Sequence, residues 1–410
     1  MPCLYNCISK KLTVDWQKLK KEFEFELTDN ILNYWVKEVY DPHRKTFFGL
    51  ITNEGKKDPE APLSAVFTTR LMWTFSAAYR IYPTAVMKTM ADEAFRILKE
   101  NFWDNLNGGI YWSVFPDGKP EDTKKQFYAE AFFIYALSEY YLAFKDEKAR
   151  QMAVSMFMLM EKFAFDPEFG GYIEAKTADW QETNDQRLSP KDLDVKKSMN
   201  THLHILEAYT NLYRVYRDEA VKNKLEHLLR IFLDRILDDK TNHLILFFDK
   251  DWTVRSKIDS YGHDIEATWL MHEATEVLGD KHIIEEVERA AIKMTEVAIS
   301  EGLASHGGMY YEKDDGHLQE QFDWWPQAEA VVGFFNTFQL TGEQKYLQQC
   351  LNSWKFIQNY IIDHKNGEWF WGVDAKLKPL KNTKVNLWKA SYHNGRMCME
   401  MIRRISKFER

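Results

Sequence analysis

Apolar residues recur at i, i+3, i+4 and i+7 along most of this 410-residue chain, the spacing of a helical face. Two kinds of helical segment alternate. One kind is one-sided, with charges opposite its apolar stripe, and covers about 13–38, 84–101, 146–164, 217–236, 281–300 and 342–361. The other is apolar and aromatic nearly all round and covers about 62–80, 125–143, 198–215, 261–277, 322–339 and 388–406. A helix that is apolar on every side is buried on every side, whereas a one-sided helix covers something. The pattern predicts six outer and six inner helices.

The joints repeat as well. Each outer segment runs into a polar or glycine turn followed by aromatics, at 41–49, 104–112, 166–172, 239–248, 305–311 and 363–371. The interval is about 60–70 residues, which signals a repeat architecture. Each turn predicts a small β-hairpin. Long loops follow at 50–61, 113–124, 174–197, 249–260, 312–321 and 372–387, while the opposite connectors, such as 144–147 and 340–343, are short. Six pairs without polar capping repeats favour a closed ring over an open solenoid. The expected fold is all-α: an (α/α)6 barrel of six inner and six outer helices, with small β-hairpins and long loops at one end, in one domain spanning 1–410. Loops on a rigid scaffold are where sites lie. The longest, 174–197, reads equally as a lid or as a surface insertion.

Composition narrows the function. The chain is 45% hydrophobic and 15% aromatic, enough for a large core, and its net charge is −8. No basic stripe offers itself to nucleic acid. No run of 18 apolar residues suits a membrane. The N-terminus carries no apolar stretch of signal-peptide length, so a cytoplasmic protein is expected. Cys3, Cys7, Cys350 and Cys398 fit neither a disulfide framework nor a zinc pattern.

The inner helices begin with unusual polarity. They present Arg70, then Tyr128 and Glu130, then Asn200 and His204, which share a face four residues apart. The fourth reads Ser260-Tyr-Gly-His263-Asp264-Ile-Glu266, the fifth Trp324-Trp325-Pro-Gln327-Ala-Glu329, and the sixth runs from Trp388 through His393 to Arg396. In a closed ring these groups face one another across the axis. Glu266 stands three residues from His263, placed to orient its imidazole. His43, His227, His243, His282, His317 and His364 fall in turns, loops or outer helices and read as surface, and His202 and His272 as packing or support. The H-E-x-x-H zinc signature is absent, and three histidines alone leave a zinc site open. Glycoside hydrolysis needs two opposed carboxylates, for which Asp264 and Glu329 are the candidates. Imidazoles instead take and return protons near neutrality. Two of them across a planar enediol invert a carbon next to a carbonyl, and Arg70 is suited to hold the developing oxyanion.

The strings Arg70-Leu-Met-Trp-Thr-Phe-Ser-Ala-Ala-Tyr79, Asn200-Thr-His-Leu-His204, Gly262-His263-Asp-Ile-Glu266 and Trp324-Trp-Pro-Gln-Ala-Glu329, with Trp388 through His393, resemble the N-acylglucosamine 2-epimerase superfamily, most of all its cellobiose 2-epimerase branch. The resemblance runs from about residue 15 to the C-terminus. It implies the same barrel and epimerisation at C2 of the reducing-end glucose of β-1,4-linked disaccharides, with no cofactor or metal. Cellobiose becomes glucosyl-mannose, lactose becomes epilactose, and mannobiose is a further substrate. By motif, His263 and His393 match the acid/base pair, and His204 the imidazole that supports the enediolate. Arg70, Asn200 and Tyr128 match sugar-binding positions, Glu266 the partner of the catalytic histidine, and Trp325 and Trp388 the stacking residues, Trp388 for the second sugar. The chain departs from the family at Tyr128-Ala-Glu130-Ala-Phe132, where Gly-Gln is expected after the tyrosine. Glu130 is therefore expected to alter the pocket's charge and sugar preference. The alternatives are a monosaccharide N-acylglucosamine 2-epimerase or mannose isomerase of the same family, a glycoside hydrolase on the same barrel, and a non-enzymatic binding scaffold. A monomer or weak homodimer is expected.

Overall fold

The computed structural model describes residues 13–408, so Cys3 and Cys7 lie outside the described residues. The outer helices are α1 (Trp16–Phe25), α3 (Ala85–Ile97), α5 (Glu147–Phe163), α7 (Glu219–Ile231), α9 (Lys281–Gly302) and α11 (Gln344–Phe356). The inner helices are α2 (Ala65–Ile81), α4 (Phe127–Phe144), α6 (Met199–Val215), α8 (Tyr261–Leu278), α10 (Trp324–Thr341) and α12 (Tyr392–Phe408). Each inner helix packs on the next, and α12 returns to α2, so the ring is closed. This is the (α/α)6 barrel. No helix among the described residues is long and apolar enough to cross a membrane.

Local chemistry sets the joints. At the short-connector end Thr84, Asp146, Asp218 and Asp280 each accept a hydrogen bond from the first turn of the following outer helix. At the other end α1, α3, α7 and α11 pass into π-wound turns that finish at Val39, Phe102, Ile236 and Ile361. The wider turn swings the chain out of the helix and into the glycine turn. The expected hairpins are smaller than anticipated. Only the first has a two-residue ladder, between Tyr40–Asp41 and Thr46–Phe47, and the others close on single bridges such as Trp103 to Ile110 and Phe165 to Tyr172.

Pairing between repeats is more extensive. The strand before each inner helix pairs with the loop of the following repeat: Leu63–Ser64 with Ser113–Val114, Lys125–Gln126 with Ala175–Lys176, Lys197–Ser198 with Phe247–Phe248, Ile258–Asp259 with Glu312–Asp314, and Phe322–Asp323 with Gly372–Val373. The sixth stitch bridges Val385 back to Ile51. First and last repeats are also tied by Glu368, which accepts from the Trp35 indole at 2.8 Å and from Lys389 at 3.0 Å. Lys389 ties down the strap before α12, where Asn386 accepts from the backbone of Trp388 and Lys389. The sixth inner helix therefore begins at Tyr392 rather than 388, and Trp388 stands ahead of it.

One position on the inner helices clamps the glycine turns. Glu130 accepts from the Ile110 N–H, His202 from Tyr172, Asp264 from Leu244 and Gln327 from Met309. Gly109 and Gly171 have φ of +76° and +78°, and a Cβ on either would meet its clamp at 2.9 Å or 2.8 Å, so both the conformation and the close approach require glycine. Glu130 therefore points into the turn and not into the axial space, which overturns the expectation that it alters the pocket. Burial pushes its carboxyl up to about 8. His243, expected at the surface, is buried and bonds Asp264 at 2.7 Å. The clamp thus also accounts for Asp264, which stands outside the axial cavity.

Buried ion pairs lock three of the turns: Lys125 to Asp104, Lys197 to Asp166 and Lys384 to Asp363, at 3.0, 2.8 and 2.6 Å. Removing one partner strands the other charge in the core. Lys197→Met, which leaves Asp166 with only the half-exposed Lys250 at 3.8 Å as a cationic partner, should cost about 3–5 kcal/mol of stability by urea unfolding. A loss under about 1 kcal/mol would show that the pair does not hold the turn.

Candidate active site

The N-terminal ends of the inner helices open on a cavity of about 460 Å³. Arg70, Tyr128, Asn200, His204, His263, Glu266, Trp325, Trp388 and His393 all line it. The loop 174–197 contributes Gln186 through Asp192 to the wall, so this stretch covers the site rather than extending away from it.

At the floor, Arg396 is fully buried and faces three carboxylates. One guanidinium nitrogen bonds Glu266 at 2.6 Å and Glu329 at 2.7 Å, and the other bonds Glu207 and the Tyr392 hydroxyl. Its plane lies 4.7 Å from the Trp269 ring and 4.3 Å from Tyr392. Burial opposes charge on Glu207, but Arg396 and the bond from His204 hold it at about 2. Burial and the Glu329 charge push Glu266 up to about 8, so it keeps its proton at neutral pH. Burial also raises Glu329, against the pull of Arg396.

These carboxylates position imidazoles. His393 Nδ1 lies 2.7 Å from Glu329 Oε1, and Trp269 donates to the other oxygen at 3.0 Å. His204 Nδ1 lies 2.9 Å from Glu207. A carboxylate at Nδ1 keeps the N–H there and leaves the Nε2 lone pair free. His263 is held differently: its Nδ1 lies 2.7 Å from the Ser260 hydroxyl, which either donates or accepts. The expected Glu266–His263 pair does not form, because Arg396 claims Glu266. The His263 and His393 ring centroids lie 4.6 and 5.8 Å from that of Trp325.

Around them stand polar groups without protein partners. Arg70 donates to the Trp388 carbonyl at 2.7 Å and to the Tyr128 hydroxyl at 2.9 Å, but its Nε has no partner, nor has Asn200 Oδ1. Trp388 lies 5.6 Å from Trp112 and 6.3 Å from Tyr128, an aromatic wall at the mouth. Sequence reasoning named Glu329 only as a hydrolase carboxylate and missed the roles of Glu207, Tyr392, Arg396 and Ser260. The i, i+3 spacing of His204 and Glu207 was a usable signal for one of them.

Glu266, Glu329 and His393 bring ligand atoms within 4.8 Å of one another. The Arg396 guanidinium already supplies the positive charge at that point.

The sequence and the fold match known proteins. The family described as N-acylglucosamine 2-epimerase (GlcNAc 2-epimerase) matches residues 46–395. The chain is 46% identical to the cellobiose 2-epimerase of Bacteroides fragilis, over 94% of this chain and 98% of that protein. It is 37% identical to the cellobiose 2-epimerase of Dictyoglomus turgidum, over 96% of this chain and 100% of that one. The solved cellobiose 2-epimerase of Bacillus thermoamylovorans superposes with a TM-score of 0.91 at 35% identity, covering 95% of this chain and 100% of that one.

The site leaves a signature in acid. Burial lowers His204 and His393 and takes His263 to about 3, below the ordinary 6.5. A base whose folded pKa is depressed contributes stability that is full above the unfolded value and lost as pH falls toward the folded one. The three histidines therefore draw stability down from about pH 6.5 toward 3, with Glu207 adding to the loss below about 4.5, while Glu130 and Glu266, raised to about 8, work the other way between about 4.5 and 8, so urea unfolding reads the histidine contribution as a difference in slope between wild type and variant. His263→Asn should reduce that slope by about one proton. An unchanged slope would mean that His263 is charged in the folded protein.

Proposed function

The chain belongs to the N-acylglucosamine 2-epimerase family and is a carbohydrate epimerase; on that premise we propose that it inverts C2 of the reducing-end glucose of β-1,4-linked disaccharides, turning cellobiose into glucosyl-mannose and lactose into epilactose. The observation that carries this reading is the pair of imidazoles, both against the Trp325 ring and held by partners of different kinds.

The sugar must first open. His263, whose Nε2 lone pair is free when its Nδ1 donates to Ser260, takes the proton of the anomeric hydroxyl and delivers it to the ring oxygen as the C1–O5 bond breaks and the C1 carbonyl forms. The open chain then places its C2–H before a base. His393, with its N–H committed to Glu329, presents the free lone pair and takes this proton. The electrons move toward the C1 oxygen and leave an enediolate. Arg70 faces the negative charge without accepting a proton. His204, with its N–H committed to Glu207, accepts a hydrogen bond from a sugar hydroxyl beside the enediolate. Glu266 offers its O–H to a sugar oxygen. Rotation about the C2–C3 bond turns the other face of C2 toward His393, which returns a proton there as the C1 carbonyl re-forms, and ring closure reverses the first step.

The aromatic mouth favours a disaccharide over a monosaccharide. Trp388, backed by Trp112 and Tyr128, offers a surface beyond the reacting ring, roofed by the 186–192 segment. A hydrolase reading lacks its carboxylate pair: Asp264 is committed to His243 and Leu244, and Glu329 lies beneath His393.

Proton NMR of cellobiose incubated with the protein in D2O should show glucosyl-mannose carrying deuterium at C2. His393→Asn should lower kcat by about 10²–10⁴-fold with an unchanged melting temperature. Release of free glucose, or full turnover by that variant, would overturn the reading.

A further inference from the structure

Away from the cavity, on the rim of the barrel, three side chains from different elements converge. His243 comes from the fourth of the repeated turns, which has no glycine, Asp259 from the strand leading into α8, and Glu301 from the last turn of α9. Their nearest ligand atoms all lie within 4.8 Å of one another. His243 Nε2 is 3.7 Å from Glu301 Oε2. We propose that these three residues form a site for a divalent cation of the zinc class, with Lys313 as its built-in competitor.

The histidine carries the argument. It is 4% exposed, and its Nδ1 is fixed at 2.7 Å to Asp264, whose other oxygen holds the Leu244 N–H. A carboxylate behind the imidazole is the arrangement that orients a metal-binding histidine and makes it more basic. Its Nε2, directed at Glu301, has no hydrogen-bond partner. A buried polar atom without a partner calls for an explanation, and a cation between the imidazole and the two carboxylates supplies one. One imidazole nitrogen and two carboxylate oxygens make a three-ligand set of the kind that leaves a fourth position to water.

Lys313 lies against the two carboxylates, at 3.1 Å from Asp259 and 2.6 Å from Glu301. Its ammonium marks where their fields converge, but it forms no bond with His243 Nε2. The lysine side chain is 27% exposed, so it can swing into solvent without losing its charge. A divalent ion then takes its place with twice the charge and one more ligand. Zinc bonds of about 2.0–2.2 Å place neighbouring ligand atoms roughly 3.3–3.6 Å apart. Glu301, 43% exposed at its helix end, has the freedom to close the remaining gap.

The place gives the site a consequence. Asp259 precedes Ser260, which holds His263, and its strand pairs with the 312–314 strand that follows Tyr311 on the cavity wall. An ion here would pin that sheet to α9 and steady the entry to α8.

Cobalt(II) is the probe, because four-coordinate cobalt absorbs visible light whether or not the enzyme turns over. Wild-type protein titrated with Co2+ should gain that band, and Zn2+ should abolish it. Lys313→Ala should bind Co2+ at least about tenfold more tightly, since no bound cation has to be displaced. The paired substitutions Asp259→Asn, at a half-buried carboxylate, and Glu301→Gln, at an exposed one, should remove the band, and His393→Asn should keep it. His243→Ala is the direct test of the third ligand, read only if its far-UV spectrum matches wild type. Absence of a band in both wild type and Lys313→Ala overturns the proposal. So does a band that survives the paired substitutions or disappears in His393→Asn, which would place the ion at Glu266, Glu329 and His393 instead.

Discussion

One buried guanidinium governs the centre of this molecule. Arg396 meets three carboxylates that burial and mutual repulsion would otherwise drive to neutrality. It pairs fully with one, Glu207, and divides its second nitrogen between Glu266 and Glu329. The outcome is unequal: one carboxyl is firmly ionised, one keeps a proton, and one is raised but still held. Through Glu207 and Glu329 that division reaches His204 and His393 and decides which of their ring nitrogens is free. The positions of the imidazoles and their protonation are consequences of the same charge.

The rest of the barrel divides labour by helix face. One face of α4, α6, α8 and α10 turns outward, where Glu130, His202, Asp264 and Gln327 grip the backbone of the repeated turns. The neighbouring residues turn inward to the cavity. His263 and Asp264 are adjacent in sequence and do unrelated work, one in the cavity and one in the clamp. Polar residues at the start of an inner helix therefore serve two needs, and their chemical type alone does not tell which.

This explains what was legible beforehand. Helix number, alternation and joints were readable because burial imposes a period on the sequence: an inner helix is apolar all round and an outer one is not. The cavity lining was readable because equivalent positions of a closed ring must converge. The pairing inside the cavity was not. Glu266 sits at the right spacing for His263, yet Arg396 comes from 130 residues further along the chain and claims it. Glu130 suggested a changed pocket for the same reason, since its direction depends on the turn it grips. His243 read as surface because turns are usually exposed, and only the packing of α8 against α9 buries it. Lys125, Lys197 and Lys384 gave no signal, since nothing in a lysine marks it for the core.

The ring closure also has a history in time. The stitch from Val385 to Ile51, the Arg70 bond to the Trp388 carbonyl and the Trp35 bond to Glu368 join segments more than 300 residues apart. Contacts so distant form late, after the loop between them has been organised. Domains emerge from synthesis N-terminus first, and both His393 and Arg396 lie on the last helix. Five repeats can therefore stack into an arc whose inner wall is still open and whose carboxylates have no guanidinium. The docking of α12 completes the scaffold and the charge pattern of the cavity in one event. A growing chain thus carries an open, unbalanced cavity until its final helix arrives.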